Sequence, residues 1–472
     1  MRGAVTVVGG SLAALASVER LAAGGCPVRW CRPTKGVGGG FAPLVVDGHR
    51  LDLGARLFEL VDGPRVQPDV AEQYHPGPTG FVPWWPAVTA YLLELLGEEP
   101  LRIAAAEQYA FGGWCDDAYV RVRLDGVVRR LPAPMRERMA REAAAIAGTV
   151  AHPAGILARP DGELASTTLA RASLEQHGAA FHDALIAPLA AKLFPAGTEG
   201  PSALLRRRAW LPLFWPRTVA AELGGPSVAD AAPTYRPDRH FHVDRHGGTG
   251  SLIASLLRRI DASPVVETVG YERVGAIDAD GIDLVVPGGR RRVDGPCIVG
   301  AGPEETLAAA GIDYRPERTR VAVWWLAVDE RDLLRRPPSM GFVTDADIVP
   351  YRVGSTLAEA DDRGRVVVTV EAGDHCADGD VTGPEGGVLA RLGLARPGAA
   401  IDVVHRMRAA AFVAPTVLEH ERLRFALDEL HERGLPHVAV GGLTGFAADS
   451  INEQLCQALL VAEGRLAVPS PG

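Results

Sequence analysis

Lysine is almost absent from this chain of 472 residues: Lys35 and Lys192 are the only two, and arginine carries nearly all of the positive charge. Together with abundant alanine, glycine and proline, that bias points to a GC-rich genome such as an actinobacterium's rather than to a function. A surplus of positive charge is missing too. The formal net charge is -9, which argues against a general nucleic-acid binder, because such proteins need a dense cationic surface to displace counterions from phosphates. No stretch of about eighteen residues runs without charged or polar breaks, so membrane insertion is not expected. Arg2 and the apolar run after it resemble a leader only superficially, since Gly9, Gly10 and Ser11 interrupt the run and a helix-like segment follows. The six cysteines, Cys26, Cys31, Cys115, Cys297, Cys376 and Cys456, have no metal-ligand spacing such as C-x-x-C. Neither a disulfide framework nor a metal site is expected, and a reducing cytoplasm suits them. Internal repeats and low-complexity tracts are also lacking.

What is present suits two intimately connected domains with a sizeable buried interior. Ala4 to Val8 form a short apolar run, as in a parallel strand covered on both faces, and Leu12, Leu15, Val18 and Leu21 follow at helical spacing. Gly24-Gly25 stops that helix, and Pro27 to Cys31 reads as a second strand before the loop KGVGGGF. The opening is therefore a β-α-β unit with a glycine-rich continuation. From about Asp62 to Ala232 the character changes to alanine-rich helical stretches broken by prolines and aromatic clusters. HVDRHGGTGSLIASLLRRI then reads as a glycine turn entering an amphipathic helix, followed by VVETVGYERV, a hairpin around DADGIDLVV, and the apolar strand CIVGAG. Between roughly Thr319 and Glu421, alternating runs such as RVAVWWLAV and RVVVTVEAG predict an antiparallel sheet with one face buried. The last segment is a strand, a glycine turn and a long helix.

Three separated segments, VVGGSLAA through GVGGGFAPLVVDGHRLDLGARLFEL, GGTGSL with CIVGAGP, and VGGLTGFAADSINEQLCQALLVAE, resemble in order and spacing the FAD-dependent amine-oxidase superfamily. PLAAKLF and VPYRVGS are similar to its protoporphyrinogen oxidase and UDP-galactopyranose mutase branch. The resemblance implies an α/β fold. Its Rossmann-like FAD-binding domain, of the glutathione-reductase type, would comprise 1–62, 233–318 and 422–472. An inserted α+β substrate domain, with an antiparallel sheet and a helical region, would comprise 63–232 and 319–421. FAD is the implied cofactor, ahead of NADP.

In a dinucleotide turn one glycine permits the bend, a second lets the backbone approach the pyrophosphate, and a third allows close helix–strand packing. Here Gly9, with Gly10 beside it, Ser11 and Ala14 occupy those places; the Ser11 hydroxyl could itself donate to a phosphate. The second strand ends in Arg32 where a carboxylate would accept from ribose hydroxyls. Arg32 could donate to ribose, stack on adenine or, with Lys35, meet a 2′-phosphate as in an NADP site; the plain alternative is a solvated loop arginine. Gly38-Gly39 is followed by Gly40 where the family has an arginine on the diphosphate. The resemblance places Gly54, Ala55 and Arg56 beside the flavin ring, where Arg56 would stabilise an anionic reduced flavin unless it is simply ion-paired with Glu59. It also assigns Val269, Gly300, Gly442, Ser450 and Ile451 to the cofactor, and Tyr351 and Arg352 to the substrate side. Asp449 or Ser450 alternatively caps the closing helix and nothing more.

A lysine near the flavin N5 atom is not expected, since Lys35 falls in the nucleotide loop and Lys192 in the helical insertion. Proton removal would pass to His49, His240, His242 or His246, each more often structural than catalytic. Trp84, Trp85, Trp210, Phe214, Trp215, Trp324 and Trp325 could wall a pocket, with core packing the commoner role. Arg206, Arg207, Arg208 and Arg217 could grip an anion or face solvent.

Three functions follow from different classes. The first is a flavin-dependent oxidoreductase acting on a C–N or C–C bond of a small molecule, in specialised metabolism. The second is a redox-neutral, mutase-like rearrangement with arginines on a diphosphate. The third is a flavoprotein fold without tight FAD binding, serving as partner or regulatory subunit; it is motivated by Ser11, Arg32 and Gly40. A homodimer or a partner enzyme is compatible with each.

Overall fold

The protein is described by a computed structural model covering residues 4–54, 56–60, 84–97, 101–116, 124–151, 155–158, 161–205, 214–224, 241–244, 247–355, 360–377, 381, 387–444 and 450–465. Val5–Gly9 forms the middle of a five-stranded sheet whose order is Val266–Tyr271, Val28–Pro33, Val5–Gly9, Cys297–Gly300, Val438–Ala439. Every pairing in it is parallel. Parallel strands need crossover connections and covering layers, which explains why Val7 and Val8 are both fully buried. The cover on one face comes from helix Leu12–Ala23, which packs on Thr249–Asp261 and on the closing helix Ile451–Ala462. Leu12, Leu15, Val18, Leu252, Leu256 and Leu455 meet there without solvent exposure. At roughly 1.5–3 kcal/mol per fully buried large side chain, this seam is a main source of cohesion between segments far apart in sequence.

Three antiparallel strands, Arg273–Asp278, Gly281–Val286 and Gly289–Asp294, form the hairpins expected between the return helix and Cys297–Gly300. The larger sheet has seven strands in the order Ile401–Val413, Arg318–Asp329, Arg365–Gly373, Arg352–Gly354, Met340–Val343, Ala106–Ala110, Gly113–Asp116. Its last two strands correct the expected picture. The region before residue 232 is not wholly helical, and the sheet is not purely antiparallel, since Ala106–Ala110 runs parallel to Met340–Val343. The hairpin carries no usual turn signal, because its turn is Phe111-Gly112, with φ of 52° and 76°. Positive φ at both positions marks a type I′ turn, where Asn-Gly is the usual signal. Here the Asp345 carboxylate, far away in sequence, accepts the N–H groups of Phe111 at 2.6 Å and Gly112 at 2.8 Å.

The rest of the insertion is helical, including Ala133–Thr149 and Leu169–His177. Helix Ala187–Leu193 is pinned to the large sheet by Lys192, whose ammonium donates to the carbonyls of Val343 at 2.7 Å and Pro350 at 3.1 Å. Among the described residues no helix is long and apolar enough to cross a membrane.

Candidate nucleotide and active site

The first strand ends against its neighbour with no room for side chains. A Cβ on Gly9 would lie 2.3 Å from the carbonyl carbon of Gly300, and its φ of 132° is one L side chains rarely adopt. Trp30 fixes this turn by donating its indole N–H to the Gly9 carbonyl at 3.0 Å. Ala14 serves the packing role expected of the third small position: a Cβ on Gly300 would fall 2.7 Å from that of Ala14.

Helix Leu12–Ala23 is capped by Ser11, whose hydroxyl oxygen accepts from the Ala14 N–H at 3.2 Å. A hydroxyl that accepts can still donate its own proton. The Ser11 N–H goes to the Gly300 carbonyl at 3.2 Å, and the Ala13 N–H goes to the Gln454 side chain, 441 residues away, at 3.0 Å. Around this helix start lies a cavity of about 460 Å³, within the range of small-molecule sites. Its walls include Gly10, Ser11, Gly38, Gly39, Gly40, Gly300, Gly442 and Gln454, with the cations Lys35 and Arg318. The Gly38 N–H donates to the Gly10 carbonyl at 2.7 Å, joining the glycine loop to the turn.

Several assigned residues, Arg32 and Val269 among them, stand apart from this wall. The Arg32 guanidinium lies over the Trp30 ring, 5.2 Å from its centroid, and Val269 is buried in the strand pair opposite Cys31. Neither lines the cavity. Arg318 pairs with Glu304, and Glu305 accepts the Val274 N–H at 2.6 Å. The donor set and glycine cradle fit a dinucleotide in shape and partly in charge, with Gln454 as a competitor for one donor.

A second cluster gathers at Gly54, where a Cβ would meet Arg352 Nη2 at 3.2 Å and Arg56 Nη1 at 4.0 Å. Arg352 stands opposite Glu371 on the neighbouring strand. It donates to that carboxylate through Nε at 3.0 Å and Nη2 at 2.6 Å, and the Tyr351 hydroxyl donates to the same group at 2.7 Å. Burial opposes the Arg352 charge, but Glu371 favours it, and its pKa ends above the usual arginine value. Burial, then Glu371, raises the Tyr351 phenol well above its ordinary range, so it stays protonated. Arg56 donates to the Gly40 carbonyl and lies over Phe41, 5.0 Å from the ring centroid. Burial lowers its pKa to about 10; Asp52 and Glu371 work against that, whereas Arg352 adds to it. At any neutral pH it remains a cation.

The loop carrying Gly54 and Arg56 is held from three sides. The Thr249 hydroxyl contacts the Asp52 carboxylate at 3.2 Å, Trp325 donates to the Asp52 carbonyl at 3.2 Å, and Asn452 donates to the Glu59 carbonyl at 2.7 Å. Ser450 caps the closing helix in a reciprocal box with Glu453, and Ile451 is buried in the adjoining core. Of the remaining candidates, Trp85, Phe214 and Trp325 are buried core residues. Trp84 is covered by Arg465, 4.8 Å from its ring centroid, and Arg217 lies in helix Pro216–Glu222. His49 and His242 sit in short strands away from the cavity wall. Ala55, Arg206, Arg207, Arg208, Trp210, His240, His246 and Asp449 lie outside the described residues. Asp52 and Gln454 lie within quoted motifs, but the side-chain role of each, like that of Glu371, comes only from the structure. The signal for Glu371 is a single acid in the largely apolar strand RVVVTVEAG.

No protein-family profile matches the chain, and no curated protein matches it in sequence. Solved structures do match. A reduced UDP-galactopyranose mutase is similar over 98% of this chain and 93% of its own, with a TM-score of 0.68 and 14% identity. A putative protoporphyrinogen oxidase from Exiguobacterium sp. 255-15 is similar over 98% of both chains, with a TM-score of 0.62 and 15% identity. A putrescine oxidase bound to putrescine is similar over 98% of both chains at a TM-score of 0.53 and 14% identity. The chain shares the fold of these solved structures, with a Rossmann-type parallel sheet as its segments implied.

Proposed function

We propose that the chain is an FAD-dependent oxidoreductase that oxidises a C–N or C–C bond of a small molecule. The observation that supports this reading is the glycine-walled cavity at the first helix start, lined by Gly10, Ser11, Gly38 to Gly40, Gly300 and Gly442. The glycines would let the cofactor's diphosphate approach the helix start closely, where the Leu12 N–H and the Ser11 hydroxyl would meet it. FAD, when bound, supplies hydride acceptance from the substrate carbon.

The chain's own residues then have separable tasks. Arg56 supplies a fixed cation on the loop that the family places beside the flavin, favouring negative charge there. Glu371 orients Tyr351 and Arg352, leaving the latter's Nη1 as the guanidinium nitrogen outside the two bonds to Glu371. The two packed units would exclude water from the reacting carbon.

The test is the visible spectrum of the purified protein. Flavin absorbance that survives gel filtration at about one equivalent per chain is the expected result. A colourless protein that takes up no added FAD would remove this reading in favour of a partner subunit. That second reading is favoured by one observation, the placement of Arg32 over Trp30 rather than in the cavity wall.

A further inference from the structure

We infer that Gln454 is a built-in occupant of the cofactor's diphosphate subsite, so that a dinucleotide must displace its side chain to engage the first helix fully. The inference rests on the cofactor reading above. A helix leaves its first N–H groups without intrahelical partners, and these are what an anion recognises. In this chain the Ser11 N–H goes to Gly300, the Ala14 N–H to the Ser11 hydroxyl, and the Ala13 N–H to Gln454. Among the described residues only the Leu12 N–H of that first turn meets no protein acceptor.

An N–H can only donate, so the side-chain atom facing Ala13 is the carboxamide oxygen, the same kind of acceptor that a phosphate would offer. The contact is built rather than incidental. Gln454 is 6% exposed and lines the cavity. Its helix is fixed in register at both ends of that turn. Glu453 accepts the Ser450 N–H at 2.8 Å, and Gln457 accepts the Gly441 N–H at 2.6 Å while donating to the Thr444 hydroxyl at 2.9 Å. The carboxamide therefore stands at the helix start without rearrangement, and its neutral oxygen is a weaker partner than a charged phosphate oxygen. It competes without sealing the site. The consequence is a cofactor affinity set below what the cradle alone would give.

The experiment titrates the purified full-length chain with FAD, following flavin fluorescence, for the unaltered protein and for Gln454→Ala, Gln454→Met and Gln454→Glu. Methionine fills a similar volume without an acceptor, and unliganded melting curves report whether each variant folds. Removing one neutral hydrogen-bond competitor is expected to tighten FAD roughly tenfold in the Ala and Met variants. A carboxylate at the same place is expected to weaken it. Riboflavin, which lacks the diphosphate, is expected to bind each variant alike. FAD affinity unchanged by all three substitutions, weaker in the Ala and Met variants, or altered equally for riboflavin would overturn the assignment while leaving the cofactor reading intact. No FAD binding by any of the four proteins would remove that reading, and this one with it.

Discussion

Glu371 and Arg352 face each other across adjacent strands with 5% and 17% of their side chains exposed. A pair so placed contributes little against an apolar pair of equal volume, but removing one partner leaves a charge buried and alone. Glu371→Gln is expected to lower stability by about 3 kcal/mol in urea denaturation, and a second change, Arg352→Met, to recover most of it. A loss that the double variant shares in full would show that the carboxylate acts on Tyr351 alone. Lys192 makes a second residue-scale case. Burial lowers its pKa from the ordinary 10.5 to about 7, against the pull of Asp345, Asp347 and Cys376. Between those values the unfolded chain holds the proton and the folded chain does not, so stability rises with pH through that window. Relative to Lys192→Met, the unaltered protein is expected to gain stability from about pH 7 to about pH 8.5, below the main titration of unfolded thiols. A difference that stays flat over that range would place the ammonium in contact with water.

At the scale of elements, the closing helix shows how much a local rule explains. Ser450, five residues before Leu455, the first buried leucine of that helix, is a capping residue by type, and the cap forms with Glu453 as reciprocal partner. Ser450→Ala is expected to cost about 1 kcal/mol, read as a lower melting midpoint. An unaltered midpoint would mean that burial of Ile451 and Asn452 alone fixes the helix start. The hairpin at Phe111-Gly112 shows where local rules fail. Its left-handed phenylalanine is held by a carboxylate more than two hundred residues downstream, so no window of sequence around the turn contains the cause. The same holds for strand Ala106–Ala110, whose partner Met340–Val343 supplies the parallel pairing.

At the scale of the molecule, a cofactor that binds only the folded chain stabilises all the segments that meet around it. FAD at about a hundred times its dissociation constant is expected to add about 2.7 kcal/mol, seen as a raised melting midpoint that follows FAD concentration. A midpoint indifferent to FAD would exclude the cavity as its site. The parallel sheet, the helix after the first glycine turn and the closing helix were legible in the chain alone, because apolar periodicity, glycine punctuation and capping act over a few residues. The order of the same segments put forward Gly10, Ser11, Gly38 to Gly40, Gly300 and Gly442 as candidates, and these residues line one cavity. Only the tertiary structure decided that Arg32 lies over Trp30, that Glu371 holds Tyr351 and Arg352, and that Gln454 meets the first helix. Each of these depends on the direction of a side chain across an interface between distant segments, and short-range sequence pattern contains no term for that.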